Sequence, residues 1–212
     1  MVDLKMQSYF EIEQCFGEVT ETTLNSVTGV VWPQKKAHFG NIVLIHDEAC
    51  PMVGIIIALW QETLDCARQI VPLQLSPIAI KATYPHLATL IASRAKIAII
   101  GKYDPKTDQY LLILPNTCVN LHAWIKEEPN ANISILNILE KIAGESLEQS
   151  VKENLFLTIV PQLLAKEPII SQTISDRIYQ LAEQIFAGNF TKIATFFSML
   201  ETSFAQKIPF LR

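Results

Sequence analysis

The sequence predicts an α+β fold in which a small N-terminal β-barrel precedes a C-terminal helical module. Up to about residue 128, short β-branched and apolar runs alternate with Gly and Pro, which is typical of strands and turns. Five of the seven glycines and seven of the eleven prolines lie in this part. Beyond it, apolar residues recur at helical spacing. We therefore expect a β domain over residues 10–126 and a helical module over 130–208.

Four segments of the first half favour strands. The run "FGEVTETTLNSVTGVVW" has a period near two, "HFGNIVLIHD" is a Gly turn followed by an apolar strand, and "PMVGIIIALWQ" reads as a buried strand. The segment "TYPHLATLIASRA" instead favours a helix, because Leu87, Leu90 and Ile91 fall on one helical face. The fourth strand-like segment, "KIAIIGKYDPKTDQYLLILP", contains Gly101.

Gly101 raises the question of whether this segment is a phosphate-binding loop. A Walker loop needs a Gly-Lys-Ser/Thr ending with a second Gly at a fixed distance upstream. Here Gly101-Lys102 is followed by Tyr103, and that second Gly is missing. The following "DPKTD" has the composition of a β-turn. We therefore predict a hairpin of Ile97–Ile100 and Tyr110–Leu114 rather than a nucleotide site.

Four helices are predicted in the second half. The first carries Ile135, Ile138, Leu139 and Ile142 on one face and ends at Gly144. The second runs from about Leu147 to Ala165, with Pro161 expected to end or kink it. The third begins near Ser171 and closes at Gly188, and the fourth precedes Pro209. The apolar stripes of these last two helices are Ile174, Ile178, Leu181 and Ile185, then Ile193, Phe196, Phe197, Leu200 and Phe204.

Composition argues against several classes of function. Lys and Arg total 17 against 21 Asp and Glu, a net charge of −4, so a broad nucleic-acid footprint is not expected. The start of the chain has acids and no apolar signal-peptide core, and no apolar run is long enough to cross a bilayer. We expect a cytoplasmic protein without membrane insertion. Its four scattered cysteines, at positions 15, 50, 66 and 118, are expected to be buried thiols.

A series of short motifs resembles the HAS barrel, the N-terminal β-barrel of HerA-type DNA-translocating ATPases, which is related to the N-terminal barrel of ATP synthase subunits. The resemblance covers about residues 10–126 and depends on the order of the motifs. They are Gly17-Glu18-Val19, Gly40-Asn41-Ile42-Val43-Leu44, Gly54-Ile55-Ile56, Tyr84-Pro85-His86-Leu87, Ile100-Gly101 and Leu114-Pro115. The sequence contains no Walker motif, so the resemblance implies assembly and partner contact rather than ATP hydrolysis.

The predicted function is therefore a non-enzymatic binding or assembly protein that self-associates or docks on a larger machine, such as a motor ATPase. No catalytic residue, cofactor or metal is expected. The mean hydropathy of +0.25 is high for a soluble monomer and favours a chain that hides apolar surface in a complex. The residues predicted to contact the partner are Phe196, Lys102 and Tyr103. Phe197 and Phe204 are expected in the core.

Two other functions stay open at this point. An enzyme would use the one cluster of His and carboxylates, His46-Asp47-Glu48, although a turn is the simpler interpretation. A nucleic-acid-processing accessory would need its lysines to gather on one face of the barrel. Those lysines are Lys35, Lys36, Lys81, Lys96 and Lys102.

Overall fold

The computed structural model describes residues 11–47, 50–64, 76–86, 90–113, 115–128, 135–144, 147–166 and 171–204. It confirms a mixed α+β fold. The strands are β1 (Cys15–Thr22), β2 (Ser26–Val31), β3 (Ile42–His46), β4 (Met52–Thr63), β5 (Ile91–Asp104), β6 (Gln109–Leu111) and β7 (Trp124–Glu127). The helices are α1 (Pro77–Thr83), α2 (Ile135–Gly144), α3 (Gln149–Lys166), α4 (Gln172–Ile185) and α5 (Phe190–Phe204).

The seven strands form one antiparallel sheet in the order β2-β1-β7-β3-β4-β5-β6. β2 also pairs with β5, from Ser26 opposite Ala98 to Val31 opposite Ser93. Six of the strands are therefore connected in a closed cycle of pairings, in which each strand has two neighbours. β6 lies outside this cycle and extends the ladder of β5.

Successive side chains of a strand point to opposite faces of the sheet, and here the two faces contribute to two different buried clusters. On β3, Val43 and Ile45 belong to one buried cluster while Leu44 between them belongs to the other. The first cluster contains only residues of the β half. The second unites Leu44 and its equivalents on β4 and β5 with the apolar faces of α2, α3, α4 and α5. The helices thus pack against one face of the sheet.

The helical half follows the predicted periodicity closely. Ile138, Leu139 and Ile142 are buried on α2, and Ser171 caps α4 by accepting a hydrogen bond from the backbone N–H of Ile174. α4 closes before Gly188, whose φ of +72° is the left-handed conformation expected there. α3 runs through Pro161, so of the two predicted effects the proline does not end the helix. None of the described helices is long and apolar enough to span a membrane.

The β half contains one correction and one partial confirmation. The helix predicted over "TYPHLATLIASRA" was wrong from Ile91 onward, because Ile91 begins the long strand β5, which pairs with β4 from Ile91 and with β2 from Ser93. Leu87 lies outside the described residues.

A hairpin does join β5 to β6, but its pairs are Lys102–Leu111, Tyr103–Tyr110 and Asp104–Gln109. The predicted first strand, Ile97–Ile100, was therefore placed too early, and Leu114 lies outside the described residues. A Cβ on Gly101 would lie 2.2 Å from the carbonyl oxygen of Leu111. This glycine is therefore needed for the close approach of β6, not for binding phosphate.

Candidate functional site

An open cleft of about 460 Å³ lies where β4 extends beyond its pairing with β3. β3 pairs with β4 only as far as Ile55, after which the segment that leads into β3 separates from β4. The last contacts between this segment and β4 are the backbone hydrogen bonds that join Ile56 to Gly40 and Asn41. The cleft is lined by Val31, Lys35, Lys36, Ala37, His38, Leu59, Trp60, Gln61, Ser93 and Arg94.

The lining of the cleft is cationic, although the chain as a whole is acidic. It contains Lys35, Lys36 and Arg94 together with the imidazole of His38, and it contains no carboxylate. The net charge of the whole chain is −4. Clustered positive charge in a concave surface raises the local concentration of anionic groups. The cleft therefore favours a ligand with negative charge.

Arg94 and Trp60 are held in place by a shared carboxylate. The Nε atom of Arg94 donates to Glu62 at 2.8 Å, and the indole nitrogen of Trp60 donates to the other oxygen of Glu62 at 3.1 Å. These hydrogen bonds, first from Trp60 and then from Arg94, hold the pKa of Glu62 below its ordinary value. Arg94 also donates from Nη1 to Thr20 at 2.8 Å. Among the described residues, its Nη2 group has no hydrogen-bond acceptor.

The opposite wall is the loop that follows β2, and it is tied to the body of the protein. The backbone N–H of His38 and its Nδ1 atom both lie 3.1 Å from one oxygen of Glu127 on β7. The Nζ atom of Lys35 donates to the backbone carbonyl of Glu13. Lys36 is exposed between these two anchored residues. The loop is thus positioned, while the ammonium group of Lys36 is accessible to solvent.

The floor of the cleft includes a strand edge with unused backbone groups. The backbone N–H of Ile99 donates to the carbonyl oxygen of Asn25, which directly precedes β2. The backbone groups of the odd-numbered residues of β5 therefore face β2, and those of the even-numbered residues face β4. Arg94 and Trp60 are directly opposite each other and therefore bond to each other. The N–H and C=O of Leu59 and Gln61 then point away from β5, into the cleft. Within the described part of the chain, no hydrogen bond engages them.

The residues predicted to contact a partner lie elsewhere. Phe196 is 2% exposed and Tyr103 is 1% exposed, and both belong to the core beneath the helices. A partner would reach either ring only if that core opened. Lys102 is half-buried on β5, eight residues beyond Arg94, which is about 26 Å along a strand. The structure therefore brings none of the three to the cleft.

The cluster His46-Asp47-Glu48 has a visible structural role in its described part. Asp47 is 3% exposed and accepts a hydrogen bond from the backbone N–H of Asn120 at 2.8 Å. The ring of His46 lies 6.3 Å from that of Trp124. Glu48 lies outside the described residues. A carboxylate that holds a loop in this way supports the interpretation of a turn.

The cysteines and lysines named from the sequence are also dispersed. Burial raises the pKa of the thiols of Cys15 and Cys50, which makes both poor nucleophiles at neutral pH. Cys118 is exposed, so the expectation that it is buried was wrong, and Cys66 lies outside the described residues. Over the described ranges, no group of three or more potential metal ligands converges.

Two of the five lysines named for nucleic-acid binding, Lys35 and Lys36, line the cleft. Lys96 is exposed on β5 but does not line it, and Lys102 is far along the same strand. The side chain of Lys81 is outside what the structure describes. The described lysines therefore do not form the continuous groove that a nucleic-acid strand needs.

The cleft itself was missed by the sequence interpretation. The strand "PMVGIIIALWQ" was expected to be buried. In the structure Leu59 is 41% exposed and Trp60 is 37% exposed. The signal in the sequence was the change from a continuous apolar run to the three consecutive polar residues of "LWQET". The sequence matches no protein-family model and no curated protein.

Proposed function

We propose that this chain is a non-enzymatic binding and assembly protein, built as a stand-alone barrel of the HAS type with a helical cover. It self-associates or docks on a larger machine such as a motor ATPase. The observation that carries the proposal is the open cleft, where a strand edge with unused backbone groups lies beside exposed apolar and cationic side chains. Natural proteins usually protect such an edge, because it is a template for pairing with another chain.

The closed cycle of six strands supports the barrel part of this proposal. Strands that pair in a closed cycle around an apolar cluster leave few unpaired edges. The unpaired edge of β4 at Leu59 and Gln61 is therefore a candidate binding surface. The enzymatic alternative at His46-Asp47-Glu48 receives no such support, because Asp47 is engaged with Asn120. The nucleic-acid alternative lacks a continuous basic groove among the described residues.

Assembly is tested by measuring the mass of the native protein and of what co-purifies with it. The chain would be tagged in its natural host and purified gently, and its partner would be tagged in turn for the reverse purification. We expect either a mass that is a multiple of 23.8 kDa or a stoichiometric partner recovered in both directions. A 23.8 kDa monomer without a reciprocal partner would contradict the proposal.

A further inference from the structure

We propose that the cleft binds an extended acidic segment of a partner protein, which adds as a strand to the free edge of β4. This inference rests on the proposed function and names the chemistry of the partner. In strand addition, main-chain hydrogen bonds provide affinity and neighbouring side chains select the sequence. The cleft supplies both components at Leu59–Gln61.

The backbone of β4 presents the required bonding pattern. The N–H and C=O groups of Leu59 and Gln61 lie two residues apart and face away from β5, which is the arrangement of a strand edge ready for another pairing. Trp60 between them is paired with Arg94 of β5. A short segment that enters the cleft can therefore form up to four hydrogen bonds without moving β4.

The charge of the cleft selects the side chains of that segment. Lys36 is exposed, and Glu62 holds the guanidinium of Arg94 in place while Nη2 of Arg94 has no hydrogen-bond acceptor among the described residues. Glu62 and Glu127 partly offset the positive charge from outside the lining, through Arg94 and His38. Lys35 and Lys36 have no carboxylate ion partner among the described residues. Carboxylates on the bound segment would supply the missing negative charge.

The size and apolar content of the cleft fit a few residues of a peptide. Its volume of about 460 Å³ lies within the range of natural ligand sites. Exposed parts of Leu59 and Trp60 provide apolar contact beside the polar groups. We therefore expect acidic residues to be mixed with β-branched or aromatic ones in the segment.

A second copy of this chain is a less suitable occupant. Two identical edges meet around a two-fold axis, so residues of one cleft face the same residues of the other. Such pairing would bring Lys35, Lys36 and Arg94 of both copies together, and facing like charges are unfavourable. An acidic segment of a different protein avoids this repulsion.

The experiment is a selection of random twelve-residue peptides displayed on phage against the intact protein. We expect the enriched peptides to combine acidic residues with β-branched or aromatic ones. The affinity of the best peptide is then measured by fluorescence anisotropy with the wild type and four variants. No enrichment, or enrichment without acidic residues, would overturn the inference.

Gln61→Pro removes an edge N–H while leaving the ladder with β5 intact, because proline is tolerated at an edge position whose N–H faces outward. Gln61→Ala is its control, since it changes only the side chain. We expect Gln61→Pro to bind about tenfold more weakly than Gln61→Ala, which shares the loss of the glutamine side chain but keeps the N–H. Equal binding by both variants would exclude a main-chain contact here. Circular dichroism checks that both variants are folded.

Lys36→Glu tests the charge, and Lys106→Glu makes the same change in the turn between β5 and β6, far from the cleft. We expect only Lys36→Glu to weaken binding, by about tenfold, with a strong dependence on salt. If Lys36→Glu and Lys106→Glu bind the peptide with equal affinity, the inference that the positive charge of the cleft selects acidic residues is wrong. If the native chain assembles but selects no acidic peptide, this inference alone fails. If it neither assembles nor selects, the proposed function fails too.

Discussion

Replacing Phe156 by alanine tests whether the helices and the sheet fold as one unit. Phe156 lies on α3, is 0% exposed, and has the rings of Phe196 and Phe186 at 5.1 and 5.7 Å. It belongs to the same continuous cluster as Leu44 and Ile100, which lie on the strands. A cavity at this position therefore loosens the layer that joins the two halves of the protein.

The expected loss of stability is large. Truncating a fully buried phenylalanine costs about 3–5 kcal/mol, because apolar contact is lost and a cavity remains. For a chain of this size, about 2–4 °C of melting temperature corresponds to each kcal/mol, so the melting temperature should fall by about 6–20 °C. Leu157 is the next residue of the helix and is 39% exposed. Leu157→Ala, its matched control, should stay within about 1 kcal/mol of the wild type.

The assay follows unfolding in urea with two probes that report different halves of the chain. All three tryptophans, Trp32, Trp60 and Trp124, lie in the β half, so fluorescence reports the sheet. Far-ultraviolet circular dichroism is dominated by the helices. We expect the two transitions to coincide and to shift together in Phe156→Ala. A shift in the circular dichroism signal with an unchanged fluorescence transition would refute the reasoning and establish two independent folding units.

Three further predictions concern the sheet and its loops. Gly101→Ala should lower the melting temperature measurably, because its Cβ would lie 2.2 Å from the carbonyl oxygen of Leu111; an unchanged melting curve would contradict the close approach of β6. Asp47→Ala should cost about 1–3 kcal/mol in urea unfolding, since it leaves the N–H of Asn120 without its acceptor, whereas Asp47→Asn should retain part of that stability. Glu62 has a pKa that is lower in the folded state than in the unfolded one, so its contribution is present above the unfolded pKa and lost as the pH falls through the folded pKa. Glu62→Gln should therefore lose stability at neutral pH and show a smaller decline in acid; an unchanged acid profile would count against the hydrogen bonds of Glu62.

The sequence predicted the helical half well because its signal is local. On α2 and α4 the apolar residues recur every three to four positions, and Ser171 and Gly188 mark the start and the end of α4. α3 continues past Pro161 because tertiary packing of Leu155, Phe156 and Leu164 holds the helix on both sides of it. In this helix, burial outweighs the local preference of one residue.

The site was harder to predict because it depends on pairings that are distant in sequence. Arg94 lies beside Trp60 only because β4 and β5 pair across the 27 residues between Thr63 and Ile91. The free edge of β4 exists only because β3 ends its pairing at Ile55. Neither fact has a local signature. The same non-local pairing decided that Ile91 starts a strand, although its neighbours carry a helical pattern.

Amide hydrogen exchange, followed residue by residue by nuclear magnetic resonance, tests most directly whether the edge of β4 is a binding site. Without ligand, the N–H groups of Leu59 and Gln61 should exchange rapidly, while that of Trp60, bonded to β5, should be protected. With a saturating acidic peptide from the selection, we predict that the amides of Leu59 and Gln61 become protected. Protection of these amides before any peptide is added, or unchanged exchange after it binds, would contradict the account.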